Sequence, residues 1–501
     1  MFQTLKNAWK TQELKTKLLF TLLIIVIYRL GSSIPVPWVE SANVLGSLST
    51  NFAVQLIAGD AFAQANLFAL SVSPYITSSI IMQLLTVAIP ALERMAKDGE
   101  EGKKKINTIT RIVTMVLALI TSFGYATMCI TGGSTGLTKL VNGKLVWDQN
   151  PGASVGGLFG EGGIFTNVGF QFIVMIACYC AGAAIVMWLA EKINEHGIGN
   201  GISIILFANI IARLPNTFIG LFTMVRNGIV GVTATKPADN AVMNLVGAIV
   251  WSLLVIALLI GLSVLVVWFT DSERRIPVQY AKKVVGRKMY GGSSSNLPLK
   301  LNMAGVMPVI FANSIVSIPG TLAAIFPNAK WLQTLSQGYF NYTKPLYVLL
   351  SVILLFAFAY FYILISFNPT EVANNIRNNG GAIPGIRPGK PTRDHIQKIL
   401  NRITLIGAIF LCVVSEVPKI FVSLFAHFNE LLVIFKENPV FQAISDFYNT
   451  GVYSNAMGQQ HIFLTIAFSG TSVLIVIGVI LETVRELEAQ LTMRNYKGFL
   501  D

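Results

Sequence analysis

Apolar residues gather into ten long runs, at roughly 18–37, 72–91, 112–130, 168–190, 202–221, 242–269, 303–326, 346–366, 403–423 and 463–481. A helix crossing the hydrocarbon core of a bilayer needs about 20 mostly apolar residues, so each run predicts a spanning helix. The pattern breaks between Asn51 and Leu85. Its first half is apolar but interrupted by Gly59, Asp60 and Asn66, too short and too broken to cross. From about Val72, with Pro74 in the first turn, the chain runs on as a full span. Hydrocarbon offers no partner to an open backbone group, so broken segments at membrane depth line cavities and do not face lipid. An all-α polytopic membrane protein arranged around a cavity is the architecture this pattern predicts.

Composition agrees. Of 501 residues, 53% are hydrophobic and 12% charged, with a mean hydropathy of +0.63, against about 25% charged in a soluble domain. The run at 18–37 is too long for a signal-peptide core and no small-residue cleavage site follows it, so it is kept as the first span. Charge then orients the map. With the N-terminus inside, the inner segments are 1–17, 92–111, 191–201, 270–302, 367–402 and 482–501. They hold 27 of the 37 Lys and Arg and 15 of the 24 Asp and Glu. The positive-inside rule therefore predicts both termini cytoplasmic and an even number of spans. It also explains the net charge of +13 as an orientation signal, not a nucleic-acid groove. Ten spans can divide into an N-terminal half at 1–221 and a C-terminal half at 242–501, inverted relative to each other across an outer hinge at about 222–241.

Two inner loops are long and basic. Asp271 to Leu301 contains IPVQYAKKVV, rich in β-formers, and a Gly291-Gly292 turn signal, which predicts a projecting hairpin. Phe367 to Arg402 contains GGAIPGIRPG, whose Gly and Pro residues favour a fixed path presenting Arg387 at its tip. Both read either as connectors held inside by their charge or as a docking surface for a cytosolic partner; their length favours the second. Of the outer loops, 131–167 carries an Asn-Gly hairpin signal in LTKLVNGKLVW, and 424–462 is compatible with an interfacial amphipathic helix.

Enzyme chemistry is not apparent. There is no P-loop, and the glycines of GIGNG at 197–201 open a membrane span without a preceding soluble strand. His196, His395, His427 and His461 are scattered, and Cys129, Cys178, Cys180 and Cys412 lie in apolar runs without ligand spacing. No metal or cofactor is predicted. An ion-coupled carrier is the rival reading, but it needs ionisable groups at span centres, where each costs about 2.5–3.5 kcal/mol on insertion scales. Only Arg29, Arg213, Glu416 and Lys419 fall within spans, all towards the outer side. Neutral polar residues are more frequent: Thr77, Ser78, Ser79, Gln83, Asn302, Asn313 and Ser314. They fit ordinary helix–helix packing as well as a dedicated seam.

Nine stretches carry a family resemblance, in order and nearly end to end: RLGSSIPVP (29–37), SPYITSSIIMQLL (73–85), GIGNGISII (197–205), RRIPVQYAKKVVGRKMYGG (274–292), LPLKLNMAGVMPVIFANSI (297–315), FNPTEVANN (367–375), GAIPGIRPGKPT (381–392), SGTSVLIVIGVILETV (469–484) and MRNYKGFL (493–500). The chain closely resembles the SecY family, the central subunit of the bacterial protein-conducting channel. The resemblance implies an hourglass channel in the plasma membrane whose waist is a ring of aliphatic side chains: Val72, Ile76, Ile202, Leu206, Ile310 and Ile475. The pairs 72/76 and 202/206 are spaced i, i+4 and so share a helix face. Val72 and Leu206 depart from the isoleucine usual in the family. The resemblance further implies a plug at about 50–64, including Phe52, Leu56, Gly59, Asp60 and Phe62. It implies a lateral gate between spans 2 and 7, with Thr77, Ser78, Gln83, Asn302 and Asn313 as candidate seam residues. Arg274, Arg275, Lys282, Lys283, Arg287, Lys288, Arg387 and Arg402 become the docking surface for the SecA motor or the ribosome. SecE and SecG are the implied membrane partners, with signal peptides and nascent chains as substrates. Energy comes from the partner, since the chain has no nucleotide site.

Overall fold

The structure is a computed structural model that describes residues 6, 8–37, 39, 65–131, 138–141, 144–147, 168–233, 241–280, 283–285, 288–290, 294–325, 329–340, 345–434 and 462–497. Every one of the ten apolar runs carries a helix: α1 Gln12–Ser32, α2 Ser73–Ala88, then after the short α3 (Pro90–Lys97) α4 Gly99–Thr131, α5 Val168–His196, α6 Gly201–Thr233, α7 Ala241–Asp271, α8 Met307–Ile325 and α9 Pro345–Ser366. After the short α10 (Pro369–Asn378) come α11 Lys390–Ile434 and α12 Ile462–Lys497. Among the described residues, five helical stretches are long and apolar enough to cross a membrane: Gly99–Thr127, Gly169–His196, Ser252–Asp271, Leu346–Asn378 and Lys390–Pro418. A sixth is the pair Ser73–Ala88 and Pro90–Ala96, bent by 105°. Large apolar side chains stand outward on these helices, with Trp268 73% exposed and Leu349 57%. In water that would be a liability, but against lipid it costs nothing.

Several boundaries differ from the sequence expectation, each for a local reason. The second span stops at Ala88, not 91, because Pro90 opens α3 and has no N–H to continue the helix. The inner segment 92–111 is helical, not a connector; Glu100 and Glu101 in the first turn of α4 complement its dipole. The inner loop 367–402 holds α10, whose N-cap Asn368 accepts from Thr370 N at 3.1 Å with Pro369 at N1. It also holds the first three turns of α11. α6 runs on to Thr233, well into the expected hinge at 222–241.

The described residues form two compact units. The first comprises Met1–Ile219, Asn313–Tyr347 and Val479–Asp501. Here α4 packs on α2 and on α5, and α1 packs on α5. Its core includes Ala118, Tyr125 and Ala126 of α4 and Met175, Tyr179 and Ala183 of α5. The segment preceding α2 is wedged among them through Ala65, Ala69 and Leu70. Outer strands β1 (Thr138–Val141) and β2 (Lys144–Trp147) pair with Val141 opposite Lys144, leaving Asn142-Gly143 between them as the hairpin signal predicts.

The second unit comprises Gly220–Ala312 and Val348–Gly478. Between α7 and α8 it holds two strand pairs. β3 (Glu273–Tyr280) pairs with β6 (Ser294–Lys300), and β4 (Lys283–Val285) with β5 (Lys288–Tyr290). Val285 faces Lys288 in the second pair, and the predicted turn at Gly291-Gly292 lies outside the described residues. A short strand β7 (Gly381–Ala382) adds to the other edge of β3, giving the order β6-β3-β7. One face of this sheet is dry. Ile276, Val278 and Leu299 pack against Ile376, Ile383, Ile396, Ile399, Leu400 and Ile403, so the sheet is fixed to α10 and the start of α11.

Candidate functional site

The stretch leading into α2 is the most constrained piece of backbone near the candidate ring. Asn66 pairs with Pro35 across an isolated bridge, Leu67 N donates to Ile34 O at 2.9 Å, and Asn66 Nδ2 donates to Ser32 O at 2.6 Å. Tyr179 Oη donates to the Ala65 carbonyl at 3.2 Å. Two non-glycine residues here take left-handed backbone, Ala65 with φ 52° and Ser71 with φ 47°, a conformation that costs an L-residue roughly 1–2 kcal/mol. Gly182 of α5 allows the close approach: a Cβ there would overlap the Leu67 carbonyl oxygen.

Beside it lies a buried polar triangle. Tyr28 Oη of α1 donates to Asn209 Oδ1 of α6 at 2.8 Å, Asn209 Nδ2 donates to Ser71 Oγ at 3.0 Å, and Ser71 Oγ lies 3.1 Å from Tyr28 Oη. The Tyr28 ring stacks on Phe68 at 5.7 Å. Arg29, within the first span, donates to the carbonyl of Ala208.

The ring candidates of this unit adjoin the triangle. Val72, the N-cap of α2, is 1% exposed; Ile76 and Leu206 are buried and Ile202 half-buried. α6 begins at a tight corner where Gly201 N donates to Asn194 Oδ1 at 2.7 Å and Ile202 N to Asn200 Oδ1 at 3.1 Å. Gly199 N donates to Glu486 Oε2 at 2.8 Å. The GIGNG motif is therefore a structural elbow that sets where α6 starts. In the second unit Ile310, in the first turn of α8, and Ile475 of α12 are buried. A Cβ at Gly478 would stand 2.6 Å from Val306 Cγ1, so the two stretches touch one turn away from each ring candidate.

The seam candidates are placed unevenly. Thr77 Oγ1 bonds back to Ser73 O at 3.0 Å, and Gln83 Nε2 reaches Ser79 Oγ at 3.5 Å. Ser78 turns elsewhere: it is fully buried, and its hydroxyl pairs with Thr114 of α4 at 2.5 Å while bonding Tyr75 O at 2.9 Å. Asn302 is buried but lies before α8, which starts only at Met307; Asn313 is buried on α8 itself. The plug candidates Phe52, Leu56, Gly59, Asp60 and Phe62 lie outside the described residues.

Of the docking candidates, Arg274 and Arg275 stand exposed on β3, with Arg275 paired to Glu273 at 2.7 Å. Arg387 is exposed beside β7. Its carbonyl accepts from Thr392 Oγ1 at 2.9 Å, and Ile386 N closes a turn on Ile383 O at 3.0 Å, so its backbone is held while its guanidinium is free to meet solvent. Gly385 and Gly389, with φ 80° and 100°, supply the backbone that this path needs. Arg402 is exposed on α11 and not in a loop. Lys283 and Lys288 belong to β4 and β5, and Lys282 and Arg287 lie outside the described residues. Among the described residues no group of His, Cys, Asp and Glu is placed to hold a metal.

Sequence reasoning missed the Tyr28–Ser71–Asn209 triangle. A tyrosine, a serine and an asparagine in apolar surroundings each read as packing, and no spacing links them.

Apolar helices with buried aliphatic side chains, joined by basic strand-bearing segments, are the fold of the protein-conducting channels. One solved structure, described as that of a protein-conducting channel, superposes with a TM-score of 0.57 at 15% identity, covering 95% of this chain and 92% of that one. Residues 66–484 match the family model described as SecY. The protein translocase subunit SecY of Streptomyces galbus is 38% identical over 508 residues, covering 100% of both chains. That of Thermus thermophilus is 36% identical over 505 residues, covering 100% of this chain and 98% of its own. The chain belongs to the SecY family, the channel-forming membrane subunit of protein translocases.

Proposed function

We propose that this channel passes unfolded, signal-bearing polypeptides through a waist formed by Val72, Ile76, Ile202, Leu206, Ile310 and Ile475. The observation that carries the reading is that five of these are buried aliphatics, four of them at or near helix starts, on helices that also expose large apolar side chains. A narrow apolar constriction excludes ions by dewetting, while its side chains yield to a passing chain of any sequence. The segment at about 50–64 serves as the plug. Segments apolar enough to stay in the membrane leave sideways between α2 and α8, past Thr77, Gln83 and Asn313. Each polar contact there holds by only about 0.6–2 kcal/mol. Ser78 belongs to the α2–α4 contact and not to this seam.

The basic sheet and its neighbour Arg387 dock the SecA motor or the ribosome, which supplies the energy; SecE and SecG complete the complex. The site of action is the bacterial plasma membrane, with both termini cytoplasmic and the two five-helix halves inverted. Crosslinking a stalled, signal-bearing nascent chain to probes at Val72 or Ile310 tests the waist. Adducts at both positions are expected, and their absence would reopen the solute-carrier reading. For docking, Arg387→Glu is expected to stop SecA-driven transport while the complex still assembles; normal export by that variant would defeat the assignment.

A further inference from the structure

We propose that the Tyr28–Ser71–Asn209 triangle is the latch that holds the channel shut at rest, and that it sets how strong a signal segment must be to open it. The inference rests on the waist reading above, because its meaning depends on what the triangle joins. Ser71 immediately precedes Val72, and Asn209 follows Leu206 by three residues on the same helix. The Ser71–Asn209 bond therefore fixes the distance between two waist positions, and Tyr28 ties both to α1.

Proton accounting makes the triangle a closed circuit. The single Tyr28 hydroxyl proton goes to Asn209 Oδ1, an acceptor only. Asn209 Nδ2, a donor only, gives to Ser71 Oγ. The contact between Ser71 and Tyr28 is left for the Ser71 proton, which Tyr28 Oη accepts. Donation then runs one way round, and bonds in such a circuit polarise and strengthen one another. All three residues are buried, Tyr28 completely.

Ser71 supports the assignment in a second way. Its left-handed backbone is one that glycine adopts freely and serine does not. Folding alone would be served as well by glycine, so what serine adds at this position is its hydroxyl. The circuit is also a conditional device. In dry surroundings its members bond one another, whereas water reaching them offers replacement partners. It resists the first step of opening and lets go once the site is wet, which makes opening two-state.

The test uses the full chain assembled with its partner subunits in proteoliposomes. Ser71→Gly removes two bonds and relieves the backbone; Tyr28→Phe removes the hydroxyl and keeps the stack on Phe68. Both are expected to raise resting ion leak, and export of a reporter with a weakened signal core, by roughly fivefold, the population shift that loss of one or two such bonds produces. Export of the same reporter with its intact signal is expected to stay unchanged. If leak and weak-signal export stay at the parent level in either folded variant, the latch is refuted. If intact-signal export falls in step, the triangle is only structural and the proposal fails equally. A crosslinking probe at Val72 in the same vesicles separates the two readings: adducts without altered leak refute the latch alone, and raised leak without adducts refutes the waist.

Discussion

In the first unit Val72 and Leu206 are joined through neighbours that hydrogen-bond, Ser71 to Asn209 at 3.0 Å. In the second, Ile310 and Ile475 stand beside a contact with no polar atom in it, Val306 against Gly478. Hydrogen bonds are directional and weaken steeply once the donor–hydrogen–acceptor angle falls below about 120°, so the first arrangement is sensitive to rotation of its partners. An apolar contact is non-directional and lets two surfaces slide at small cost. The first contact is therefore set by hydrogen bonds and the second by shape alone.

The comparison can be broken most severely at Gly182. Alanine there would gain about 1 kcal/mol in helix propensity, but its methyl would overlap the Leu67 carbonyl, a backbone atom that has nowhere to go. Overpacking of this kind costs up to about 3 kcal/mol, so the clash wins. Gly182→Ala is expected to lower the thermal midpoint of the purified complex more than any other change named here. A midpoint at or above the parent's would show that the segment at 65–72 is not rigidly seated.

Asn209→Leu comes next. It keeps the volume but takes the acceptor from the Tyr28 proton and the donor from Ser71 Oγ, leaving only the Ser71–Tyr28 contact, at about 1–3 kcal/mol for a buried group that loses its partner. A drop in midpoint is expected, and pairing it with Tyr28→Phe should recover part of the loss, since the second change removes a stranded group. Losses that simply add would mean the residues do not act as one circuit.

Gly478→Ala probes the other side of the comparison and is expected to cost about 1 kcal/mol, because the added methyl meets a stiff valine side chain and not backbone. Val306→Ala should restore the midpoint when combined with it. Failure of that rescue would mean that the strain falls on something other than the Val306 contact.

These contrasts also mark what the sequence disclosed. The ten helices were readable because crossing a bilayer demands some twenty apolar residues in a row, a pattern that no tertiary contact is needed to see. The strands between α7 and α8 are readable from their β-branched run, because such residues suit a pleated, half-buried surface. Arg402 looked like a loop residue only because the polar first turns of α11 hide the true start of that helix at Lys390. Asn302 was expected beside the start of span 7 at 303, whereas the helix begins only at Met307. The proposed waist rests on family resemblance, since buried aliphatics are the ordinary content of any helix. The triangle was not legible at all: its members are 43, 138 and 181 residues apart in the chain.

The mildest change tests whether it is connection, and not the mere presence of hydroxyls, that matters in the first unit. Ser78 and Thr114 form a hydroxyl pair at 2.5 Å, fully buried like the triangle and on the same unit. Each also has a bond of its own, Ser78 to Tyr75 O at 2.9 Å and Thr114 to Thr110 O at 2.7 Å. Neither group is stranded when the other leaves, and no circuit runs through them. Thr114→Val should therefore cost no more than the ~0.6 kcal/mol typical of an intramembrane hydrogen bond, with resting leak and weak-signal export unmoved. Should Thr114→Val raise leak as much as Tyr28→Phe, any loosening around α2 would open the channel. The contrast between a latched unit and a yielding one would then reduce to general stability.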